Sequence, residues 1–242
     1  MQLEVDILGM TENKKYDFGV NIEEMMAAGV HLGHHVSKLN PKMKQYVSGL
    51  RNNSHIIDAE KAAEMLVGAL KFVEKLITEQ KILLLVGTKI QLKNLVKDTA
   101  KDCGLFYVSE RWLGGTFTNF KTILKRVNYF KELEEKKAKG ELEKYTKKER
   151  MKIDKEIERL KNNFEGIKNM EKLPDAIFVV DIKKDSLAVK EARKKGVKTI
   201  GIVDTNSDPT SVDYPISASD DSISSVKYIL EKVAEVVKKV KK

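Results

Sequence analysis

The 242-residue chain has one cysteine, Cys103. That excludes an internal disulfide framework and any cysteine-based zinc cluster, and a partnerless thiol suits a reducing cytosol and reads as a buried spectator. No apolar run approaches the roughly 18 residues a membrane span requires. The opening MQLEVDILGMTENKKYDF mixes acids and bases without a long apolar core. The expectation is a soluble, cytoplasmic protein with no membrane partner. Catalytic signatures are also missing. VGTKIQ holds a glycine and a lysine after an apolar run but lacks the G-x-x-x-x-G-K-[ST] phosphate cradle, no G-x-G-x-x-G follows any strand, and no nucleophile elbow occurs. The most local absence is of acids. They occupy 36 of 242 positions, yet none lies between Glu24 and Asp58 and none from Arg111 to Lys131.

Bases are plentiful. Lys and Arg number 45, for a formal charge of +9, and 33% of residues are charged against roughly 25% in ordinary globular chains. Such an excess points to a polyanionic partner, most simply nucleic acid. Lysine dominates it, so solubility alone is the competing explanation.

Along the chain, Asn21 with Glu24 reads as a capping box opening a short helix that Gly29 ends. QYVSG and SHIID, separated by Leu50–Asn53, suggest a β-hairpin. Asp58 then caps a helix carrying Ala62, Leu66, Leu70, Val73 and Ile77. ILLLVG (82–87), LFYV (105–108), AIFVVD (176–181) and TIGIVD (199–204) are continuous apolar runs. Runs of this kind form parallel strands covered on both faces. With helices expected at 89–102 and about 185–195 between them, they predict an α/β fold: a Rossmann-like, flavodoxin-like, doubly wound parallel sheet. A terminal helix with Val226, Leu230, Val233 and Val237 on one face is expected to pack on it, ending in KKVKK as either a solvated fray or an RNA-touching tail.

Residues from about 120 to 170 interrupt the alternation. Ile153, Ile157, Leu160, Phe164 and Ile167 recur at four-three spacing, and Phe120, Ile123, Val127, Phe130 and Leu133 nearly do. The expectation is an inserted antiparallel coiled-coil hairpin, broken at Gly140 and restarted by a Thr146–Glu149 capping box. Sixteen bases against ten acids from 121 to 170 put +6 of the net charge here. The resulting division is an N-terminal arm at 1–20, a body at 21–118 and 171–242, and the hairpin at 119–170.

The acid-free windows carry the candidate binding chemistry. The first holds all four histidines, His31, His34, His35 and His55, with Lys38, Asn40, Lys42, Lys44, Arg51, Asn52 and Asn53. These are donors suited to phosphates and sugar hydroxyls. The second interleaves Arg111, Lys121, Lys125, Arg126 and Lys131 with Trp112, Phe117 and Tyr129. Within RWLGGTFTNF, Thr116, Thr118 or Asn119 can cap the hairpin's first helix, and backbone amides at the glycine turn can hold a phosphate. Trp112 either packs beneath the hairpin or faces the ligand. Two catalytic alternatives remain on this fold: a nucleotide in the crevice beyond the strands, or a metal held by His31, His34 and His35 with Asp204 or Asp208. Gly29 and Gly33 argue against the helix that such histidine spacing needs, and Asp181, Asp204 and Asp208 read as turn and helix caps.

GVHLGHHVSKLNPKMKQYVSGLRNNSHIID resembles the N-terminal signature of the small-subunit ribosomal protein S two family, in which G-x-H-x-G-H leads to N-P-K-M and a basic, Asn-rich turn. RWLGGTFTNFKTI resembles its second signature, and LPDAIFVVD followed by IVDTNSDP and DYPISASDDS its third, in order from about Asn21 to Leu230. Leu32 and Leu39 stand where similar proteins often carry aromatics, and Ala218-Ser219 replace the usual Gly-Asn. The resemblance implies a Rossmann-like body with a coiled-coil hairpin, a monomer within the ribosome. It also implies contact with small-subunit rRNA near the head and body junction, with neighbouring small-subunit proteins, and a part in docking ribosomal protein S one. No catalysis and no cofactor or metal are implied. The residues assigned to rRNA on this basis are His31, His34, Lys38, Asn40, Lys42, Lys44, Arg51, Asn52, Arg111, Thr118, Asn119, Lys121 and Lys125.

Overall fold

The protein is seen in a computed structural model that describes residues 16–241. Of the expected N-terminal arm, residues 1–15 lie outside the described residues. Tyr16 and Phe18 pack against the core, Val20 is buried, and Asp17 pairs with Lys71 at 2.7 Å.

Helix α1 (Ile22–Ala27) starts at Asn21, whose Oδ1 accepts from the Glu23 N–H at 2.8 Å, one residue short of the expected Glu24 partner. A small antiparallel sheet follows, made of β1 (Leu32–His35), β2 (Val47–Arg51) and β3 (Ser54–Ile57) in the order β1-β3-β2. The sequence suggested the hairpin but not β1, and placed Leu50 and Arg51 in the turn. Instead both extend β2, and the turn is Asn52-Asn53 alone, with φ of 49° and 60°. Asparagine tolerates this left-handed pair, and its twist matches that of paired strands.

Helix α2 (Ala59–Thr78) begins where Asp58 Oδ1 accepts from Glu60 and Lys61 N–H. Then come β4 (Leu83–Val86), α3 (Lys93–Cys103), β5 (Phe106–Val108), α4 (Phe120–Ala138), α5 (Lys147–Phe164), β6 (Ala176–Val179), α6 (Ser186–Lys195), β7 (Lys198–Val203), β8 (Tyr214–Ser217) and α7 (Ile223–Lys241). The five later strands form one parallel sheet in the order β5-β4-β6-β7-β8. Counted within the sheet this is 2-1-3-4-5, the flavodoxin-like order, and the expected doubly wound fold stands.

The apolar runs are continuous because the sheet has no wet face. Leu83 and Leu85 enter one core with α2, α3 and α7, while Leu84 and Val86 enter another with α4, α5 and α6. The second core runs without a break from Val86, Ile177 and Val179 to Val127, Phe130, Leu133, Ile157 and Leu160 between the two inserted helices. Those helices are antiparallel: Lys137 Nζ meets Asp154 at 2.6 Å and Lys168 reaches back to Glu134. The Thr146–Glu149 capping box restarts the second of them. At the far end of α7, Lys241 Nζ donates to the Cys103 and Gly104 carbonyls at 2.7 and 3.2 Å. This tail residue therefore closes the C-terminus of α3, where a cation complements the helix dipole. Cys103 is buried, which raises its thiol pKa.

Candidate nucleic-acid interface

The two acid-free windows meet on one face of the large sheet, although Met25, Val30 and Ile57 of the first enter the core on the other. Asn40 Oδ1 caps the turn at Pro41 by accepting from Lys42 N–H at 3.0 Å, and the turn delivers Met43, fully buried, into the core that holds Trp112 and Phe117. Trp112 meets Phe117 edge to face, with centroids 4.8 Å apart, a geometry worth about 0.5–1.5 kcal/mol beyond burial. Of the two readings of Trp112, packing is the one observed.

What the windows expose is basic. Lys38, Lys44, Arg51, Arg111, Lys121 and Lys125 are exposed and, among the described residues, make no ion pair. Asn52 sits exposed at the hairpin tip with Arg51 beside it. Lys42 is already engaged, its Nζ 2.7 Å from Asp208 Oδ2, and its ammonium is the main reason that the Asp208 pKa falls to about 2. His31 is half-buried, and burial together with the Arg51 charge keeps its imidazole neutral by lowering its pKa.

The second window holds a correction. The amides of the glycine turn are not open to a phosphate. Gly115 N–H donates to Glu191 Oε1 at 2.6 Å, and Phe117 and Thr118 N–H donate to Oε2 at 2.8 and 3.2 Å. Gly115 has φ of 93°, a conformation that L side chains rarely adopt, and it turns its N–H into this convergence. Burial would raise the Glu191 pKa, but the three amides outweigh it and hold the carboxylate below its usual range. Asn119 is the N-cap of α4 without a side-chain bond to the helix amides. Its Oδ1 accepts from Thr122 Oγ1 instead.

A second polar constellation lies at the C-terminal ends of the parallel strands, where doubly wound enzymes bind ligands. Lys89, just past β4, is 16% exposed and lies 3.0 Å from Asp220, 3.5 Å from Asp181 and 2.5 Å from Asp221. Burial alone would lower its pKa. Bonds to Asp221 and Asp220 overcome that and leave the ammonium firmly charged. Asp220, pushed up to about 6 by burial and by the neighbouring charges of Asp181 and Asp204, is restrained by Lys89. His34 reaches in from β1, with Nδ1 3.1 Å from Asp204 and Nε2 3.2 Å from Asp221, so its pKa is raised chiefly by the Asp204 bond. His34 N–H also donates to Thr205 Oγ1 at 2.9 Å, and Asn40 N–H to the Thr205 carbonyl at 2.8 Å. Gly33 makes this docking possible, because a Cβ there would lie 2.6 Å from Thr205 Cγ2.

This network fills the switch point of the sheet, between β4 and β6, with the protein's own charges and gives a nucleotide no cradle. The histidines do not cluster as the metal alternative requires: His34 alone joins Asp204 and Asp220, with donor atoms within 4.8 Å. The Lys89 ammonium already supplies the cation beside them. Asp181 caps Lys183 and Lys184, and Asp208 caps Thr210, as turn residues should. Sequence reasoning missed Lys89, Asp220, Asp221 and Glu191. The available signals were the lysine directly after Gly87-Thr88 and the one acid in SLAVKEARKK.

Residues 25–239 match the family model described as Ribosomal protein S2. The chain belongs to that family. Curated relatives named "Small ribosomal subunit protein uS2" include that of Koribacter versatilis, 44% identical over 90% of this chain and 72% of the relative. That of Dictyoglomus thermophilum is 44% identical over 89% of this chain and 88% of the relative, and that of Acidobacterium capsulatum 42% identical over 90% and 72%. The family is one of structural proteins rather than enzymes, which agrees with the filled crevice. Among the described residues no helix is long and apolar enough to cross a membrane.

Proposed function

We propose that the protein is a structural constituent of the small subunit of the cytoplasmic ribosome and binds small-subunit rRNA through the two acid-free loops. One observation carries this reading: five exposed bases, Lys44, Arg51, Arg111, Lys121 and Lys125, none of them ion-paired among the described residues, flank segments that share a core through Met43, Trp112 and Phe117. Ammonium and guanidinium groups in that state release counterions from phosphates on binding, while the rigid loops set the register. Function here means affinity and geometry, with no turnover. The hairpin, which holds +6 of the net charge, acts as an outrigger, and the loops at its base form the grip. From the family resemblance alone comes a further role in docking ribosomal protein S one.

Replacing Lys44, Arg51, Arg111 and Lys121 together by alanine is expected to weaken incorporation into small subunits lacking this protein and to flatten its salt dependence. Incorporation and salt slope equal to those of the unsubstituted protein, read by co-sedimentation, would overturn this assignment of contacts.

A further inference from the structure

Glu191 sits on the buried face of α6, 6% exposed, with no cation paired to it among the described residues. A buried, unpaired carboxylate is costly unless hydrogen bonds replace its water, and here three backbone N–H groups do so. Three amides converging from one turn form the concavity that proteins use to hold phosphate. In this chain an internal carboxylate fills it. The turn is further tightened by Thr116 N–H and Oγ1, both donating to the Leu113 carbonyl, and by Asn119 N–H donating to that of Gly115 at 2.7 Å.

The consequences run in both directions from the turn. On one side stands Arg111. On the other, α4 starts at Phe120 and carries Lys121 and Lys125 in its first turns. The conformation of residues 113–119 therefore sets the spacing and direction of three of the unpaired bases. With its amides satisfied internally, the turn is shaped before any ligand arrives, and the ordering cost of binding is smaller.

We propose that Glu191 is a positioning residue for RNA recognition: a built-in substitute for phosphate that fixes the second loop and directs RNA phosphates onto Arg111, Lys121 and Lys125 rather than onto the turn's amides. This rests on the RNA-binding reading above. Its sign is diagnostic. Neutralising Glu191 raises the net charge from +9 to +10, which by long-range electrostatics alone should strengthen binding to RNA. Positioning requires the opposite.

The test compares the full chain with Glu191→Gln, and with Asp98→Asn as an equal charge change at an exposed residue of α3, a helix that packs in the other core, for binding to small subunits lacking this protein. Amide exchange at Gly115, Phe117 and Thr118 is followed in parallel. The expected result is binding at least tenfold weaker for E191Q with a shallower salt dependence, faster exchange at those amides, and no weakening for D98N. Sodium formate, set against sodium chloride of equal ionic strength, should restore amide protection in Glu191→Ala by refilling the cradle. If E191Q fails to fold, Glu191→Asp retracts the carboxylate at unchanged net charge and is expected to weaken binding as well. Binding by E191Q, or by E191D in its place, as tight as that of the unsubstituted chain overturns the proposal, as does unchanged exchange at the three amides. Failure of the unsubstituted chain to bind would instead overturn the RNA-binding reading itself.

Discussion

Replacement of Lys89 by methionine isolates the charge network that closes the crevice. Methionine keeps most of the stem and removes the ammonium, leaving Asp220, 4% exposed, and Asp181, 9% exposed, without their cation, while Asp221 at 62% remains in water. Removing one partner of a buried pair costs about 3–5 kcal/mol, and the exposed Asp221 adds little. For a chain of this size each kcal/mol moves Tm by roughly 2–4 °C, so a fall of about 10 °C at pH 7 is expected. The pH dependence gives the cause away. The Asp220 pKa stands at about 6 even with Lys89 present, against roughly 3.9 in an unfolded chain. A carboxyl whose folded pKa is raised gains relative stability as pH falls through that value toward the unfolded one. His34, with its raised pKa, contributes stability that is complete below the ordinary imidazole value and is lost as pH rises through the folded one. Loss of Lys89, which restrains Asp220, raises the Asp220 pKa further, so the variant gains more stability than the unsubstituted chain as pH falls and the K89M deficit should shrink between pH 7 and pH 5. Emission from Trp112, the one tryptophan and a buried one, reports unfolding. A Tm loss below about 3 °C at pH 7, or an equal loss at both pH values, would refute this account.

Phe130 is 1% exposed between α4 and α5, with the Lys168 ammonium 5.5 Å from its ring centroid. Phe130→Ala is expected to cost about 3–5 kcal/mol in urea unfolding followed by far-UV dichroism, and a loss under about 1 kcal/mol would show that the two inserted helices do not depend on their seam. At the hairpin tip, Asn53 with φ of 60° should accept glycine with little change in Tm. Valine should destabilise by about 1–2 kcal/mol, because its Cβ crowds the following carbonyl in the left-handed region; equal melting of the glycine and valine variants would contradict the turn geometry.

Much of the architecture was open to a reader of residues alone, for reasons that are local. ILLLVG and AIFVVD had to be strands covered on both sides, because alternate residues supply two different cores. The inserted helices could be read from apolar spacing, and the break between them from Gly140 and the Thr146–Glu149 pair, whereas the start of the first was open among Thr116, Thr118 and Asn119. The caps at Asp58 and Thr146 were legible because a cap and its partners lie within three residues. β1 was not. GHH has no strand preference of its own and pairs only because β3, some twenty residues on, lies beside it.

The candidate site divides along the same line. Its basic residues and the lack of acids around them are properties of sequence, and so is the family signature they compose. Which of those bases are free is not. Lys42 is claimed by Asp208, 166 residues away, and His34 by Asp204 and Asp221. The amides that seemed ready for a phosphate are taken by Glu191, 73 to 76 residues along the chain, and the crevice of the sheet is filled by Lys89 and aspartates more than 90 residues away. Composition determined that the protein carries a surplus of positive charge. Tertiary structure decided which charges remain to be presented, because a carboxylate neutralises only what folding brings within about 4 Å of it.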